Sequence, residues 1–422
     1  METLSITNIF VSHYYYGLAL LFFLILSGFD FLKVQSLGIN YGQVGNNLPP
    51  PEKVLELLRS LKLTKARIYD TNPQVLAAFA NSNVDLIVTV ENQMLPTLSD
   101  PNQAFQWVYT HIRPYFPATR ITGIAVGNEI FSGENVDPNL VAALVPAMVA
   151  IHAALVRFRL DQFIHVSTPN SLAVLQESFP PSAGTFRPEL TGILPQFLQF
   201  LSATKSPFWI NAYPYFAYKD DPTKIPLDYV LLNPNSGTVD QNTKLRYDNM
   251  LYAQVDAVAS AMAKMGYPGI EVRVSETGWP SRGDTDEIGA TPENAAIYNR
   301  NIMTRQLKKE GTPMRPARTL EIYVFALFNE DMKPGPTSER NYGLFQPDGT
   351  MAYNVGLSAL PTTAAAASSS PFSSSSSPSA ASSSIISFSS GATKVRGIHS
   401  WSIWYSVLIL GFQGLALWEF RH

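Results

Sequence analysis

Between about residues 37 and 360 the chain alternates short apolar or β-branched runs with longer stretches whose apolar positions recur at helical spacing. Runs at 36–41, 66–69, 86–90, 121–126, 164–167, 208–212, 271–275 and 320–325 read as strands. Helical patterns fill 51–61, 102–115, 138–159, 247–265 and 292–310, several opened by Pro or Asp, as helix starts prefer. This is the sequence form of an α/β protein with parallel strands, and eight such units predict a closed (β/α)8 TIM barrel. An open doubly wound sheet would want a Gly-rich phosphate turn after its first strand. The segment Gly38-Ile39-Asn40-Tyr41-Gly42 lacks the third glycine and the later acid.

The pattern breaks at both ends. An apolar run at 14–26 has signal-peptide length, so residues 1–36 are expected to be a leader cleaved after Ser36, with an uncleaved N-terminal anchor as the alternative. From 361 to 390 the chain turns to Ser, Ala and Pro, a stalk with little to bury and expected to be disordered. Ser389-Ser390-Gly391-Ala392, a short spacer and an apolar tail at 398–420 follow the order of a glycosylphosphatidylinositol (GPI) signal. Ser390 is the expected attachment residue and 391–422 the propeptide removed. The alternative is a transmembrane helix over 401–420.

Composition narrows the chemistry. Thirty Lys and Arg against 33 Asp and Glu give a net charge of -3, no overall field to hold nucleic acid or an anionic membrane. The absence of cysteine excludes disulfides, thiolate metal sites and Cys nucleophiles. Aromatics at 12% and 31 prolines suit a loop-rich protein that binds something flat and uncharged.

In a barrel, catalysis belongs at the carboxyl ends of the strands. Those ends carry Asn40 and Tyr41, Tyr69 and Asp70, Glu91 and Asn92, Asn128 and Glu129, Asn211, Tyr213, Tyr215 and Phe216, Glu276 and Trp279, and Asn329, Glu330 and Asp331. Glycoside hydrolysis needs two carboxyl groups flanking the scissile bond. Glu129 and Glu276 close the fourth and seventh strands, which face each other across an eight-stranded barrel. Asn128 is suited to bond a sugar 2-hydroxyl. Tyr213 is placed either to bond Glu276 or to fill the core, and Trp279 either to stack on a sugar or to plug the barrel mouth.

The motifs Leu-Gly-Ile-Asn-Tyr-Gly (37–42), Arg-Ile-Tyr-Asp (67–70), Ile-Ala-Val-Gly-Asn-Glu (124–129), Asn-Ala-Tyr-Pro-Tyr-Phe (211–216), Val-Ser-Glu-Thr-Gly-Trp-Pro-Ser (274–281) and the stretch 328–345 resemble those of plant endo-1,3-β-glucanases, glycoside hydrolase family 17. The resemblance implies that Glu129 is the proton donor and Glu276 the nucleophile of a retaining mechanism. It implies that Glu330, Lys333 and Glu339 form a charged cluster near the nucleophile, which an ion-pair network would also explain. It implies endo-hydrolysis of β-1,3-glucan, without metal or cofactor. A monomer is expected, and the C-terminal signal places it at the outer face of the plasma membrane, in the wall or at plasmodesmata. Mixed-linkage 1,3;1,4-glucan hydrolysis, transglycosylation and a non-catalytic glucan-binding role are the alternatives. Many members of the family carry a cysteine-rich glucan-binding module, which a chain without cysteine cannot have.

Overall fold

A computed structural model describes residues 37–132 and 137–356. The segments 1–36, 361–390 and 391–422, Ser390 among them, lie outside the described residues. The strands are β1 (Leu37–Asn40), β2 (Lys65–Arg67), β3 (Asp85–Val90), β4 (Arg120–Val126), β5 (His165–Ser167), β6 (Pro169–Ser171), β7 (Phe208–Asn211), β8 (Val272–Thr277) and β9 (Ile322–Val324). They form one parallel sheet in the order β5-β4-β3-β2-β1-β9-β8-β7-β6. Its two ends, β5 and β6, are separated in the chain by Thr168 alone, so the circuit closes through one broken stave. Its lower half pairs with β4 and its upper half with β7. Pro169, which has no N–H to give a ladder, stands at the break. Counted by staves this is the expected eight-stranded barrel, with β8 as the seventh stave.

Helices connect successive staves: α1 (Pro51–Ser60), α2 (Pro73–Ala78), α3 (Pro101–His111), α4 (Pro138–Phe158), α5 (Leu194–Thr204), α6 (Met250–Lys264) and α7 (Pro292–Leu307). Six of them carry proline in the first turn, where a missing N–H costs nothing. Asn72, Asp100, Asp137, Asn249 and Thr291 accept bonds from the backbone N–H groups that open five of them. Two helices, α2 and α5, are absent from the periodicity reading. The first is too short to show a period; the second does have helical spacing, with Leu194, Phe197, Leu198 and Leu201 buried and Gln196, Gln199 and Ser202 exposed, and is an addition to the elements expected. Other boundaries move by a few residues, most of all at 247, which pairs in a small hairpin (Thr238–Val239 with Arg246–Tyr247) before α6 begins.

Inside the barrel Ile87, Ala125, Trp209 and Tyr323 fill the lower layer, while the main core lies between strands and helices. The amino ends of the strands are closed by an ion-pair belt. Glu321 meets Lys65 and Arg273, Glu271 meets Arg273 and Arg318, and Asp85 meets Arg120. With charges paired among themselves below, the free polar groups are left to the opposite rim.

Candidate active site

Glu276 sits inside the last turn of β8 rather than beyond it. Around Ser275 the strand carries one residue more than either neighbour, a bulge seen in its register with both β7 and β9. Such an insertion re-aims side chains at a sheet end. Here it turns Ser275 towards Asn211, whose Oδ1 accepts from the Ser275 hydroxyl at 2.7 Å. Glu276 is turned towards the barrel axis. Its Oε1 accepts from Arg67 Nη1 at 2.7 Å and its Oε2 from the Tyr213 hydroxyl at 2.8 Å. Burial, and next the charge of Glu276, push the Tyr213 phenol well above its ordinary range, so it remains a donor. Of the two roles open to Tyr213, the structure shows the bond to Glu276.

Glu129 stands just past β4 on a left-handed turn. Gly127 has φ +70° and Glu129 itself φ +53°, a conformation that disfavours a side chain and is stored only where surroundings enforce it. The surroundings are specific: Gly127 N donates to Val90 O at 2.9 Å, Asn128 N to Asn92 Oδ1 at 2.7 Å, and Glu129 N to Pro169 O at 2.9 Å. The carboxyl accepts one side-chain bond, from Asn211 Nδ2 at 2.8 Å. Burial, and then the negative charge of Glu276, raise its pKa to about 7, against the opposing pull of Asn211 and Arg67. The two glutamates therefore differ in kind. Glu129 is neutral over the acid range, whereas Glu276 is presented as an acceptor to two donors.

Arg67 joins them. Its Nη2 donates to Asn128 Oδ1 at 2.8 Å, and its guanidinium carbon lies 4.6 Å from the Tyr69 ring centre. Tyr69 in turn donates to Asn40 Oδ1 at 3.2 Å, and Asn40 Nδ2 to the Ser275 carbonyl at 3.2 Å. The Asn128 amide oxygen is thus filled, and its Nδ2 has no hydrogen-bond partner among the described residues, which suits it to a sugar hydroxyl. Arg67 is not among the site residues expected from the sequence, and Asn211 is expected only as one of several polar residues on the rim. The one signal for Arg67 was a permanent charge inside a strand of a closed sheet.

The remaining candidates divide. Glu330 is buried and accepts from Val44 N at 2.9 Å, and a side chain at Gly42 would place its Cβ 2.2 Å from that carboxylate. Burial raises the Glu330 pKa, opposed first by Lys333. Lys333 pairs with Glu339 at 3.3 Å and rests 4.2 Å from the Phe325 ring centre. The cluster exists, but among the described residues none of its members is hydrogen-bonded to Glu129 or Glu276. Tyr41 is a buried ring packed edge-on against Phe328, in a supporting place. Trp279 has no exposed surface; its ring is enclosed by Tyr215, Tyr218 and Tyr298, and its Nε1 donates to Gly289 O at 2.8 Å. Of its two readings, burial fits the plug and not the sugar platform. Trp279→Ala should therefore lower stability by about 3–5 kcal/mol, read by denaturant unfolding. A loss of affinity for oligosaccharide with full stability would show the platform instead.

Arg67 offers a sharper test. It is fully buried and paired with a largely buried carboxylate, so Arg67→Met leaves a charge without its partner, at a cost of about 3–5 kcal/mol. Arg67→Lys keeps the charge but cannot reach Glu276 and Asn128 with one planar fork. We expect a fall in kcat per folded molecule well beyond any change in KM for the lysine variant. Folded lysine variant that turns over at the wild-type rate would mean that Arg67 only supports the fold.

Comparison with known proteins follows this geometry. The profile of Glycosyl hydrolases family 17 matches residues 37–357. Glucan endo-1,3-beta-glucosidase 11 of Arabidopsis thaliana is 52% identical over 325 residues, 76% of each chain. Glucan endo-1,3-beta-glucosidase 14 of the same plant is 51% identical over 82% of this chain and 87% of its own. Among solved structures, a β-1,3-glucanase and allergen of Cryptomeria japonica pollen superposes with a TM-score of 0.73 at 42% identity, covering 76% of this chain and 99% of that one.

Proposed function

The chain belongs to glycosyl hydrolase family 17, and from that membership and the paired glutamates we infer that it is a retaining glucan endo-1,3-β-glucosidase. The observation that carries the reading is the unequal environment of two carboxyls on one rim. Glu129 holds a proton to about pH 7, and Glu276 is oriented by Arg67 and Tyr213.

In the first step Glu129 gives its proton to the glycosidic oxygen as the bond to the anomeric carbon breaks, and a Glu276 oxygen bonds that carbon. The developing positive charge on the sugar is met by the Glu276 carboxylate. Once Glu276 is esterified its negative charge is gone. The second cause of the raised Glu129 pKa goes with it, so Glu129, left ionised by the first step, is suited to take a proton from water. Water attacks the anomeric carbon, the ester breaks, and both glutamates return to their starting states. The change of role at Glu129 is built into its proximity to Glu276.

Neutral polymers such as callose or fungal wall glucan are the substrates that this reading favours. The experiment is product analysis on linear β-1,3-glucan and on mixed-linkage glucan. Oligosaccharides from the 1,3-polymer alone support it. Release from mixed-linkage polymer alone would replace it by the 1,3;1,4-hydrolase, and binding without turnover by a glucan-binding protein.

We propose further that the mature protein is a monomer held at the outer face of the plasma membrane by a lipid on Ser390. The support is the order of small residues, spacer and apolar tail after residue 388. Phosphatidylinositol-specific phospholipase C should release the protein from membranes, whereas a transmembrane helix would resist it.

A further inference from the structure

Large apolar side chains remain exposed in two places that stand out. One is the catalytic rim, where Val44, Phe216 and Met332 border the cleft and sugar faces account for them. The other is the outer wall at α3 and α4, where Tyr109, Val149, Val156 and Phe163 are 44%, 50%, 47% and 58% exposed, and the hydrolase has no use for them.

The helix α4 explains this second patch. Its outward positions are Ala142, Pro146, Val149, Ala153 and Val156, at steps of four and three residues, so they lie on one continuous stripe. Charged residues normally occupy that side of a barrel helix. Here the helix is long and apolar enough to cross a membrane by length and composition, yet its other side is buried in the barrel wall.

Arginines predominate where α3 and α4 end: Arg113, Arg157 and Arg159 stand there against Asp161, while Asp100 and Asp137 cap the opposite ends of the two helices. Arg157 lies 4.1 Å from the Phe105 ring centre and Arg113 lies 5.2 Å from that of Tyr109, so both guanidiniums are held beside aromatic rings. Arg159 caps α4 in a left-handed conformation and is exposed. An apolar stripe ending in guanidiniums and aromatic rings matches the depth profile of a lipid surface: acyl chains first, phosphates at the margin.

We propose that this face docks on a lipid bilayer bearing anionic head groups. Because α4 runs along the barrel wall, docking there lays the barrel axis along the membrane and leaves the cleft open sideways, towards polymer lying on the membrane.

The chain has no cysteine, so one can be introduced as a unique label site. The test uses the full chain carrying an environment-sensitive fluorophore at Ala153→Cys, or at Thr304→Cys on the exposed side of α7. Vesicles are phosphatidylcholine, with or without phosphatidylglycerol. Expected are a blue shift and quenching by brominated lipid at 153 with the anionic vesicles, and neither at 304. The combined Arg113→Glu, Arg157→Glu and Arg159→Glu variant should reduce the docked fraction by roughly tenfold or more. Its hydrolysis of soluble oligosaccharide should be unchanged. No shift at 153, or equal shifts at both positions, overturns the proposal. So does equal response to neutral vesicles, or a shift without vesicles that grows with protein concentration, the sign of a second copy.

Discussion

Glu276→Ala is expected to lose at least about 10⁴-fold in hydrolysis of β-1,3-glucan, because no other group is placed to form the glycosyl bond. The change also leaves Arg67 buried without its anion, so unfolding must be measured beside activity, with Glu276→Gln as the variant that keeps the volume. The two explanations separate cleanly. Azide or formate, small enough to enter the vacated space, should restore turnover of a glycoside with a good leaving group and give product of inverted configuration. A folded Glu276→Ala protein that retains a tenth of the wild-type rate would remove Glu276 from the mechanism. In the same variant the Glu129 titration, followed by NMR, should move down, since one cause of its elevation has been deleted.

The second large effect concerns Glu129→Gln, which is expected to lower kcat by about 10²–10⁴-fold on glucan and far less on substrates whose leaving group needs no proton. Its pH dependence follows from the raised pKa. The wild-type rate should fall tenfold per unit as pH rises above about 7, as the proton is lost. Stability moves in the corresponding direction. With a folded pKa of about 7 against an ordinary 4.5, the folded state binds more protons between those values, so stability declines as pH rises through that window. The glutamine variant, which cannot ionise, should be more stable than wild type at pH 7, on the order of 2 kcal/mol. That is below full conversion of the shift, because the carboxyl is partly open to solvent. At pH 4 the two proteins should unfold alike. An alkaline limb that survives in Glu129→Gln would assign it to another group.

Much of this was visible in the chain before its fold. The alternation of apolar runs with helical periods identified the barrel, and its rule that chemistry gathers at strand carboxyl ends singled out Glu129, Glu276 and Asn128. Other features depend on contacts that no local pattern encodes. Arg67 reaches Asn128 across 61 residues of sequence and Glu276 across 209, so its role exists only once staves two, four and seven are side by side. Asn211 was seen as one of many rim amides. Its partnership with Glu129 requires the Ser275 bulge that holds its oxygen. Trp279 misleads in the opposite way. An aromatic following a catalytic motif suggests a binding surface, but three tyrosines from other parts of the chain enclose it.

The broken fifth stave has a consequence for how the enzyme fails on heating. The hydrogen bond from Glu129 N to Pro169 O fastens Glu129 to the upper fragment of that stave, beside the interruption in the ring of strands. A ring opens first where its ladder is weakest. If that seam parts, the left-handed turn at Glu129 loses its restraint while the other staves are still paired. Catalysis should therefore disappear some degrees below the calorimetric transition, with far-ultraviolet dichroism intact, and return on cooling.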